Sequence, residues 1–303
     1  MTPTSGAVPP RRTGAPSAQR RARWRRRFGD GASYALLSVV ALGMLLPFLW
    51  MLATSLKSYS ELTVYPPRLL PDALHWENYP IAWHYSEVVP FGRFFLNSLL
   101  VATCITIGHL VTCSMAGYAF ARLRFPGRNG LFLVYLATLM VPFQVTMVPL
   151  YLIMRQLQWV DTYLALIVPS LVSAYGTFLV RQFMLTLPTE LEDAARLDGA
   201  GPPTILFRII LPLSRPVLMT LLILSFLSSW NAFLWPLIVI NSTEFRTLPL
   251  GLVTFISVPE ATGAPQFQLL MAAATFAMIP TLAVFVIAQR QFIKGIAMTG
   301  LKG

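Results

Sequence analysis

Six stretches of the sequence contain no Asp, Glu, Lys or Arg, and each is long enough to cross a lipid bilayer as a helix. A membrane-spanning helix needs about 20 apolar residues, and one charge at its centre costs about 2.5–3.5 kcal/mol on insertion scales. The pattern therefore predicts an all-α integral membrane protein with six transmembrane helices. The predicted spans are Ser33–Leu56, Phe94–Ala121, Leu131–Met154, Thr162–Val180, Pro216–Ile240 and Phe267–Ala288.

The composition agrees with a protein that lies in lipid. Charged residues make up 12% of the chain, whereas soluble domains carry about 25%. The first apolar stretch is longer than the core of a signal peptide, and no small-residue cleavage site follows it. We therefore expect this stretch to remain in the mature protein as the first span.

The Lys and Arg residues are divided unequally between the two sides that six spans create. If the N-terminus is cytoplasmic, eighteen of the twenty-three basic residues lie inside. The five that lie outside are Lys57, Arg68, Arg93, Arg155 and Arg246. Because cytoplasmic connections carry the excess of Lys and Arg in membrane proteins, both termini are predicted to be cytoplasmic.

The N-terminal segment is strongly basic, with eight arginines in the first 27 residues and no acidic residue before Asp30. Residues 1–32 are predicted to form a disordered cytoplasmic tail that helps to set the topology and meets anionic lipid. Residues 33–303 are predicted to form the membrane domain. A nucleic-acid-binding arm is the alternative, but no nucleic-acid-binding fold follows the arginines, so no nucleic-acid partner is predicted.

The chain lacks the residues that a membrane enzyme or an ion-coupled carrier requires. None of the predicted spans contains a carboxylate, only three histidines occur, and there is no Walker A glycine loop. Cys104 and Cys113 lack metal-ligand spacing. The sequence predicts no catalytic residue, no metal site and no ATP hydrolysis by this chain. Because ion-coupled carriers usually bury ionisable residues, energy is expected to arrive from outside the membrane.

The connection 181–215, on the predicted cytoplasmic side, has the pattern of two short helices. Thr189 followed by Glu192 makes a T-x-x-E capping box, which predicts the start of the first helix. Gly199 is suited to the left-handed conformation that ends a helix. A loop of this length is too short to fold alone.

The second short helix is predicted to begin at Pro203 and to stop before Pro212. Its apolar residues Phe207, Ile210 and Leu211 are expected to share one face. In the first helix, Ala194 and Ala195 are small enough to let another protein approach closely. From helical geometry alone, a docking helix and an ordinary connector packed on its own bundle are equally supported.

The same loop resembles the EAA motif of importer permeases in the ATP-binding-cassette superfamily. That motif reads Glu-Ala-Ala, three residues, Gly, nine residues, Ile, one residue, Leu-Pro. The matching residues are Asp193, Ala194, Ala195, Gly199, Ile209, Leu211 and Pro212. The first position is Asp instead of Glu, which keeps the carboxylate but shortens it by one methylene. Ser228–Leu252, Gln158–Pro169 and Phe292–Gly303 are similar to the carbohydrate-uptake branch, most of all to its six-span maltose-type subunit.

The resemblance implies a type I importer permease fold in the bacterial inner or plasma membrane. An extracellular solute-binding protein would deliver a sugar, such as a di- or oligosaccharide, to this subunit and a sister permease. A dimer of ATPase subunits, which would bind ATP and Mg, would close beneath them. The residues implied to meet the ATPase are Glu190, Asp193, Ala194, Ala195, Asp198, Gly199, Ile209, Leu211 and Pro212. The resemblance also places Thr254–Gln266 against the binding protein and Gly295–Gly303 between the ATPases.

Polar residues inside the predicted spans are the remaining candidates, because such groups normally face the bundle interior or a cavity. Packing with interhelical hydrogen bonds competes with lining of the sugar pathway for these residues. The pathway candidates are Asn97, Ser229, Trp230 and Asn231. For His109, a helix–helix hydrogen bond is favoured over a proton relay, because Gly108, Thr112 and Ala116 form a small-residue seam beside it.

Overall fold

The computed structural model describes residues 16–85, 90–257 and 266–299, and every regular element in these residues is helical. One unit of the chain ends at Leu52 and a second begins at Ala53. The α-helices are α1 (Pro16–Ser55), α2 (Tyr59–Leu62), α3 (Asn78–Trp83), α4 (Phe91–Arg122), α5 (Arg128–Ala137), α6 (Phe143–Gln156), α7 (Tyr163–Ile167), α8 (Ala174–Met184), α9 (Glu190–Leu197), α10 (Pro202–Ile205), α11 (Leu211–Leu213), α12 (Arg215–Trp230), α13 (Leu234–Val239), α14 (Leu248–Ser257) and α15 (Phe267–Thr299). Short 3-10 turns cover Thr138–Met140, Val168–Ser170 and Thr243–Phe245, and a π-helical turn covers Leu206–Ile210.

Four segments are long and apolar enough to cross a bilayer, and two bent pairs of helices add to them. The four are Ser33–Ser55, Phe91–Arg122, Tyr163–Met184 and Phe267–Ile287. The bent pairs are Arg128–Met140 with Phe143–Gln156, at 98°, and Pro202–Leu213 with Arg215–Trp230, at 81°. Over the described residues there are six spans if each bent pair crosses once, which agrees with the predicted all-α fold.

The basic N-terminal tail differs from its prediction over part of its length. Helix α1 begins at Pro16, so residues 16–32, which were predicted to be disordered, are helical. Arginine is a good helix former, and the helix of the first span extends through these residues. Residues 1–15 lie outside the described part of the chain.

The third and fourth predicted spans are each interrupted, one at a proline and the other at the residue that caps the next helix. The third bends at Pro142, because the residue before a proline is disfavoured in the helical region, and Val141 is extended (φ −87°, ψ 113°). The fourth is interrupted at Ser173, whose backbone is also extended. The Ser173 hydroxyl accepts the Gly176 N–H at 3.0 Å and so caps the start of α8.

The fifth predicted span, Pro216–Ile240, is wrong as a single helix. Helix α12 ends at Trp230, and α13 resumes at Leu234. This restart places Pro236 in the first turn of α13, where its missing N–H removes no helical hydrogen bond. Three spans are therefore discontinuous, at Pro142, Ser173 and the residues after Trp230.

Helix α4 lies at the centre of the second unit and packs closely against α8 and α12. A Cβ on Gly108 would lie 2.5 Å from Leu171 Cδ2, and the Thr112 hydroxyl donates to the Leu171 carbonyl at 2.8 Å. His109 Nδ1 lies 2.8 Å from the Ser225 hydroxyl of α12. The predicted close seam and the predicted helix–helix hydrogen bond of His109 are both confirmed.

Candidate functional site

The first helix of the 181–215 loop is α9, and it is held by an ion pair instead of the predicted capping box. Thr189 has helical dihedrals (φ −74°, ψ −24°), and its side chain makes no capping hydrogen bond. The Glu192 side chain does not reach back to Thr189. It lies instead 3.1 Å from Nε of Arg122, at the end of α4. The capping-box prediction is therefore wrong, because a charged partner outcompetes the local backbone N–H.

The Arg122–Glu192 ion pair is almost completely buried, with side-chain exposures of 7% and 2%. Arg122 also donates to the carbonyls of Met184 and Leu187, at the end of α8 and just beyond it. The second Glu192 oxygen accepts from Arg196 at 3.2 Å. Through Arg122, these contacts fasten α9 to the ends of α4 and α8. Removing one partner of the buried pair would leave an uncompensated charge.

An apolar contact reinforces this attachment. Ala195, on the same face of α9 as Glu192, belongs to a buried cluster that includes Tyr118 and Ala121 of α4 and Met184 of α8. The cluster continues into the second half of the loop through Ile205, Leu206 and Ile210. The loop is thus packed on the membrane helices through buried contacts with α4 and α8.

The opposite face of α9 is exposed and carries most of the predicted ATPase-contacting residues. The exposed members are Glu190, Asp193, Ala194, Asp198 and Gly199. Leu197 lies on the same face with 89% of its surface exposed. Asp193 pairs with Arg196 at 3.0 Å, but its side chain is 64% exposed. Sequence reasoning did not identify Leu197, although a leucine between the charged residues Arg196 and Asp198 was a signal that could have been used.

Gly199 ends α9 as predicted. Its φ of +81° lies in the left-handed region that favours glycine. The Gly199 N–H donates to the Arg196 carbonyl at 3.0 Å, and the Ala200 N–H donates to the Ala195 carbonyl at 2.9 Å. These two bonds form a Schellman motif, which turns the chain sharply toward α10.

The second half of the loop does not stop before Pro212. Helical structure continues through the π turn at Leu206–Ile210 into α11, so that prediction is wrong. A π turn shifts the hydrogen-bond register by one residue and so accommodates the missing proline N–H. After this shift, the residues predicted to share one apolar face do not share it, since Phe207 is 59% exposed and Ile210 is fully buried. Among the predicted contacts, Ile209 and Leu211 are partly buried and Pro212 is exposed.

The three helix breaks meet at one cavity of about 280 Å3 in the second unit. Phe143 follows the first break, Pro169–Ser173 forms the second, and Ala232 lies in the third. The hydroxyl-bearing residues that line the cavity are Ser170, Ser173, Ser228, Ser229 and Thr247, and His109 and Trp235 complete its polar and aromatic walls. Irregular backbone at membrane depth is tolerated where it is buried in protein or lines a water-filled space.

Only one of the four pathway candidates lines this cavity, namely Ser229. Trp230 is buried beside it, where its indole N–H donates to the Ala277 carbonyl at 3.1 Å. Asn231 is exposed, and its amide donates to the Leu227 carbonyl at 2.8 Å. The pathway role of these residues stays a prediction.

The fourth candidate, Asn97, lies near the other end of α4 and connects that helix to residues 244–246 and to α7. Its amide donates to the carbonyls of Glu244 and Arg246 at 2.8 and 2.9 Å, and its oxygen accepts from the Tyr163 hydroxyl at 2.6 Å. Arg93 pairs with Glu244 beside it. Arg93 and Arg246, two of the five basic residues predicted to lie outside, therefore lie near the same end of α4, and Arg93 is about 44 Å along the helix from Arg122.

Asp161, which sequence reasoning missed, fastens the turn before α7 to the end of α13. Its carboxylate accepts from the Asn241 N–H, the Ser242 N–H and the Ser242 hydroxyl, each at 3.0 Å. Partial burial alone would raise the pKa of Asp161, but these hydrogen bonds to the ionised form outweigh it and hold the pKa below its usual value. Its contribution to stability is present above the pKa of the unfolded chain and is lost as the pH falls through the lower folded pKa.

Known proteins resemble this chain over most of its length. Residues 111–298 match the family described as "Binding-protein-dependent transport system inner membrane component". The arabinooligosaccharides transport system permease protein AraQ of Halalkalibacterium halodurans is 40% identical over 77% of this chain and 81% of its own length. The sn-glycerol-3-phosphate transport system permease protein UgpE of Pectobacterium atrosepticum is 35% identical, over 89% and 97%.

A solved structure has the same fold. It is a chain of a bacterial ABC transporter involved in the import of the acidic polysaccharide alginate. The match covers 89% of this chain and 98% of that one, with a TM-score of 0.79 and 24% sequence identity. The predicted importer permease fold is therefore confirmed.

Proposed function

Because the chain belongs to the family of binding-protein-dependent transport system inner membrane components, and is thus a permease of an ATP-binding-cassette importer, we propose that separate ATPase subunits drive it through α9. The observation that carries this proposal is the division of α9 into two faces. Glu192 and Ala195 fasten one face to the membrane helices. The other face presents Asp193, Leu197 and Asp198 to a partner.

The chemistry of the exposed face suits a cleft with basic or donor groups around an apolar pocket. Glu190, Asp193 and Asp198 offer carboxylates, Leu197 offers an apolar anchor, and Ala194 permits close approach. Closure of an ATPase dimer would displace this face, and the buried ion pair would pass the displacement to α4. Such a two-state element, biased by ATP, is the physical requirement for coupling two distant sites.

This function requires the α9 end of the molecule to lie in the cytoplasm. The excess of Lys and Arg on that side supports this orientation, with the 1–32 tail and both termini cytoplasmic and residues 33–303 forming the membrane domain. ATP and Mg would be bound by the ATPase dimer, and this chain would bind no cofactor. A sister permease and an extracellular solute-binding protein complete the assembly. The segments assigned to the binding protein and to the space between ATPases include residues 258–265 and 300–303, which lie outside the described residues.

The cavity at the three helix breaks favours a neutral sugar as cargo. Hydroxyl groups such as that of Ser229, together with the aromatic rings of Phe143 and Trp235, suit a hydroxylated ring. Among the described residues that line the cavity, none is Lys, Arg, Asp or Glu. A phosphorylated cargo such as that of UgpE would require a cation there, so a di- or oligosaccharide like that of AraQ is the better fit.

Sugar uptake into vesicles tests this function. The importer is purified by an affinity tag on this chain, together with its partners, and is reconstituted in vesicles with its binding protein. It is expected to accumulate a neutral oligosaccharide only when ATP is present on the side of the membrane where the ATPase subunits lie. Ser229→Trp fills the cavity and is expected to abolish uptake while ATP hydrolysis remains measurable. Ser229→Ala, which removes only the hydroxyl, is the matched control and should retain uptake.

Two outcomes would contradict the proposal. Accumulation without ATP, by this chain alone, would make it a carrier that needs no ATPase. Uptake at the normal rate by Ser229→Trp, with the variant present in normal amounts, would remove the cavity from the sugar pathway.

A further inference from the structure

The segment between the first span and α3 exposes an unusual number of large apolar side chains. Tyr65 is 91% exposed, Leu70 is 74% exposed, and Trp76 is 62% exposed. The complete set is Val64, Tyr65, Leu69, Leu70, Leu74 and Trp76. Large apolar side chains that are exposed together in one short segment indicate a surface that meets a protein, a ligand or a membrane.

The two ends of this segment are held together where the first span ends. The His75 N–H donates to the Leu56 carbonyl at 3.0 Å. The Asn78 amide donates to the carbonyls of Ser55 and Lys57 at 2.9 and 2.8 Å. Residues 57–75 therefore form a closed loop whose neck lies at the end of the Ser33–Ser55 span.

The loop folds back toward this neck instead of projecting away from it. The Lys57 ammonium donates to the carbonyl of Arg68, so the chain just before Leu69 and Leu70 lies within one lysine side chain of the neck. The Glu61 carboxylate accepts the Asp72 N–H at 2.9 Å and holds the two halves of the loop side by side. These bonds keep Leu69 and Leu70, the apolar tip of the loop, close to the residues that end the Ser33–Ser55 span.

The helix that follows the loop packs against α15, one of the spans. In α3, Tyr79 and Trp83 contact the ring of Phe276, with centroid separations of 5.5 and 5.2 Å. Phe276 lies nine residues after the start of α15, or about 13 Å along that span. The loop is consequently continuous with a helix that lies beside the spans.

Several polar and charged groups of the loop are paired with neighbours in the same segment. Arg68 donates to both oxygens of Asp72, at 2.7 and 2.6 Å. His75 Nδ1 lies 2.6 Å from the Glu77 carboxylate. Local pairing of this kind lowers the cost of placing charged residues next to lipid, and it leaves the apolar side chains as the main feature of the surface.

We propose that residues 64–76 are a lipid-binding surface that lies in the headgroup layer of the bilayer, on the face where the first span ends. Tyr and Trp prefer this layer because their rings are apolar and carry a polar group, and the leucines would enter the acyl boundary. The surface would fix the height and tilt of the first two spans relative to the membrane. This inference does not depend on the cargo or on the ATPase.

A spin label at position 70 tests the proposal in the assembled importer. Cys104→Ala and Cys113→Ala provide the background, Leu70→Cys carries the label, and Ser60→Cys is the control on the short helix α2 of the same loop. The importer is reconstituted in vesicles of phosphatidylethanolamine and phosphatidylglycerol. Collisions of each label with oxygen, which concentrates in lipid, are compared with collisions with a water-soluble nickel chelate.

The proposal expects oxygen collisions to exceed nickel collisions several-fold at position 70, and by less at position 60. Nickel collisions that dominate at position 70 would place the tip in water and overturn the proposal. Low collision rates with both reagents would mean that a protein partner covers the tip, which would overturn it as well. Sugar uptake by the labelled variants confirms that each assembly is native.

Discussion

Glu192→Gln is expected to reduce the amount of folded permease and to lower sugar uptake by at least about tenfold. A tenfold change in an equilibrium corresponds to about 1.4 kcal/mol. The variant leaves Arg122 buried at 7% exposure with no carboxylate partner. Breaking a buried pair in this way typically costs about 3–5 kcal/mol. Thermal unfolding in detergent and uptake per folded molecule measure the two effects separately.

A charge swap and a surface control make this prediction specific. Arg122→Glu combined with Glu192→Arg restores opposite charges and should recover part of the stability that either single change removes. Asp72→Asn breaks the exposed pair with Arg68 and should cost less than about 1 kcal/mol. If Glu192→Gln unfolded at the same temperature as the unchanged protein, α9 would not be fastened through this pair.

Asp193→Lys is expected to leave the permease folded and abundant and yet to lower uptake by at least about tenfold, because a reversed charge at an interface costs several kcal/mol. The Asp193 side chain is 64% exposed, so the change disturbs no buried group. ATP hydrolysis by the complex should continue without stimulation by the binding protein. Stimulated hydrolysis and uptake, measured on the same vesicles, report the loss of coupling.

Asp193→Glu is the matched control for this change. It keeps the charge and restores the residue that the EAA motif carries at this position, so uptake should be retained. Normal sugar accumulation by Asp193→Lys would count against a role of this face in coupling. Changes at the two neighbouring carboxylates are thus expected to have different effects. A change at Glu192 should lower the stability of the fold, and a change at Asp193 should weaken the contact with the partner.

The positions of the spans could be predicted from the sequence because they depend on a strong local signal. The cost of burying a charge in lipid makes each span visible as a charge-free stretch, whereas the assignment of the two sides from Lys and Arg stays a prediction. The end of α9 could also be predicted from a local signal, since glycine adopts the left-handed conformation that ends a helix more readily than other residues, and Gly199 does so. The helix–helix bond of His109 followed from a polar residue beside a small-residue seam.

The ion pair was harder to predict because it joins residues that are distant in sequence, and the breaks were missed because the spans were assigned from the absence of charge alone. Thr189 and Glu192 match a capping box locally, but Arg122 lies 70 positions earlier and reaches Glu192 only in the folded chain. The absence of charge in the stretch 216–240 does not show that α12 ends at Trp230. A hydropathy signal records that residues tolerate lipid and does not record whether their backbone is continuous.

The identity of the protein that contacts α9 decides whether ATPase subunits drive this permease through that helix. A photoreactive amino acid in place of Leu197, which is 89% exposed, can be cross-linked in intact cells, with the same group in place of Trp76 at the other membrane face as the control. Coupling through α9 predicts that position 197, and not position 76, is joined to a subunit that carries a nucleotide-binding P-loop and hydrolyses ATP in the purified complex. Cross-links from position 197 to a protein outside the cytoplasm, or from position 76 to the ATPase, would contradict it.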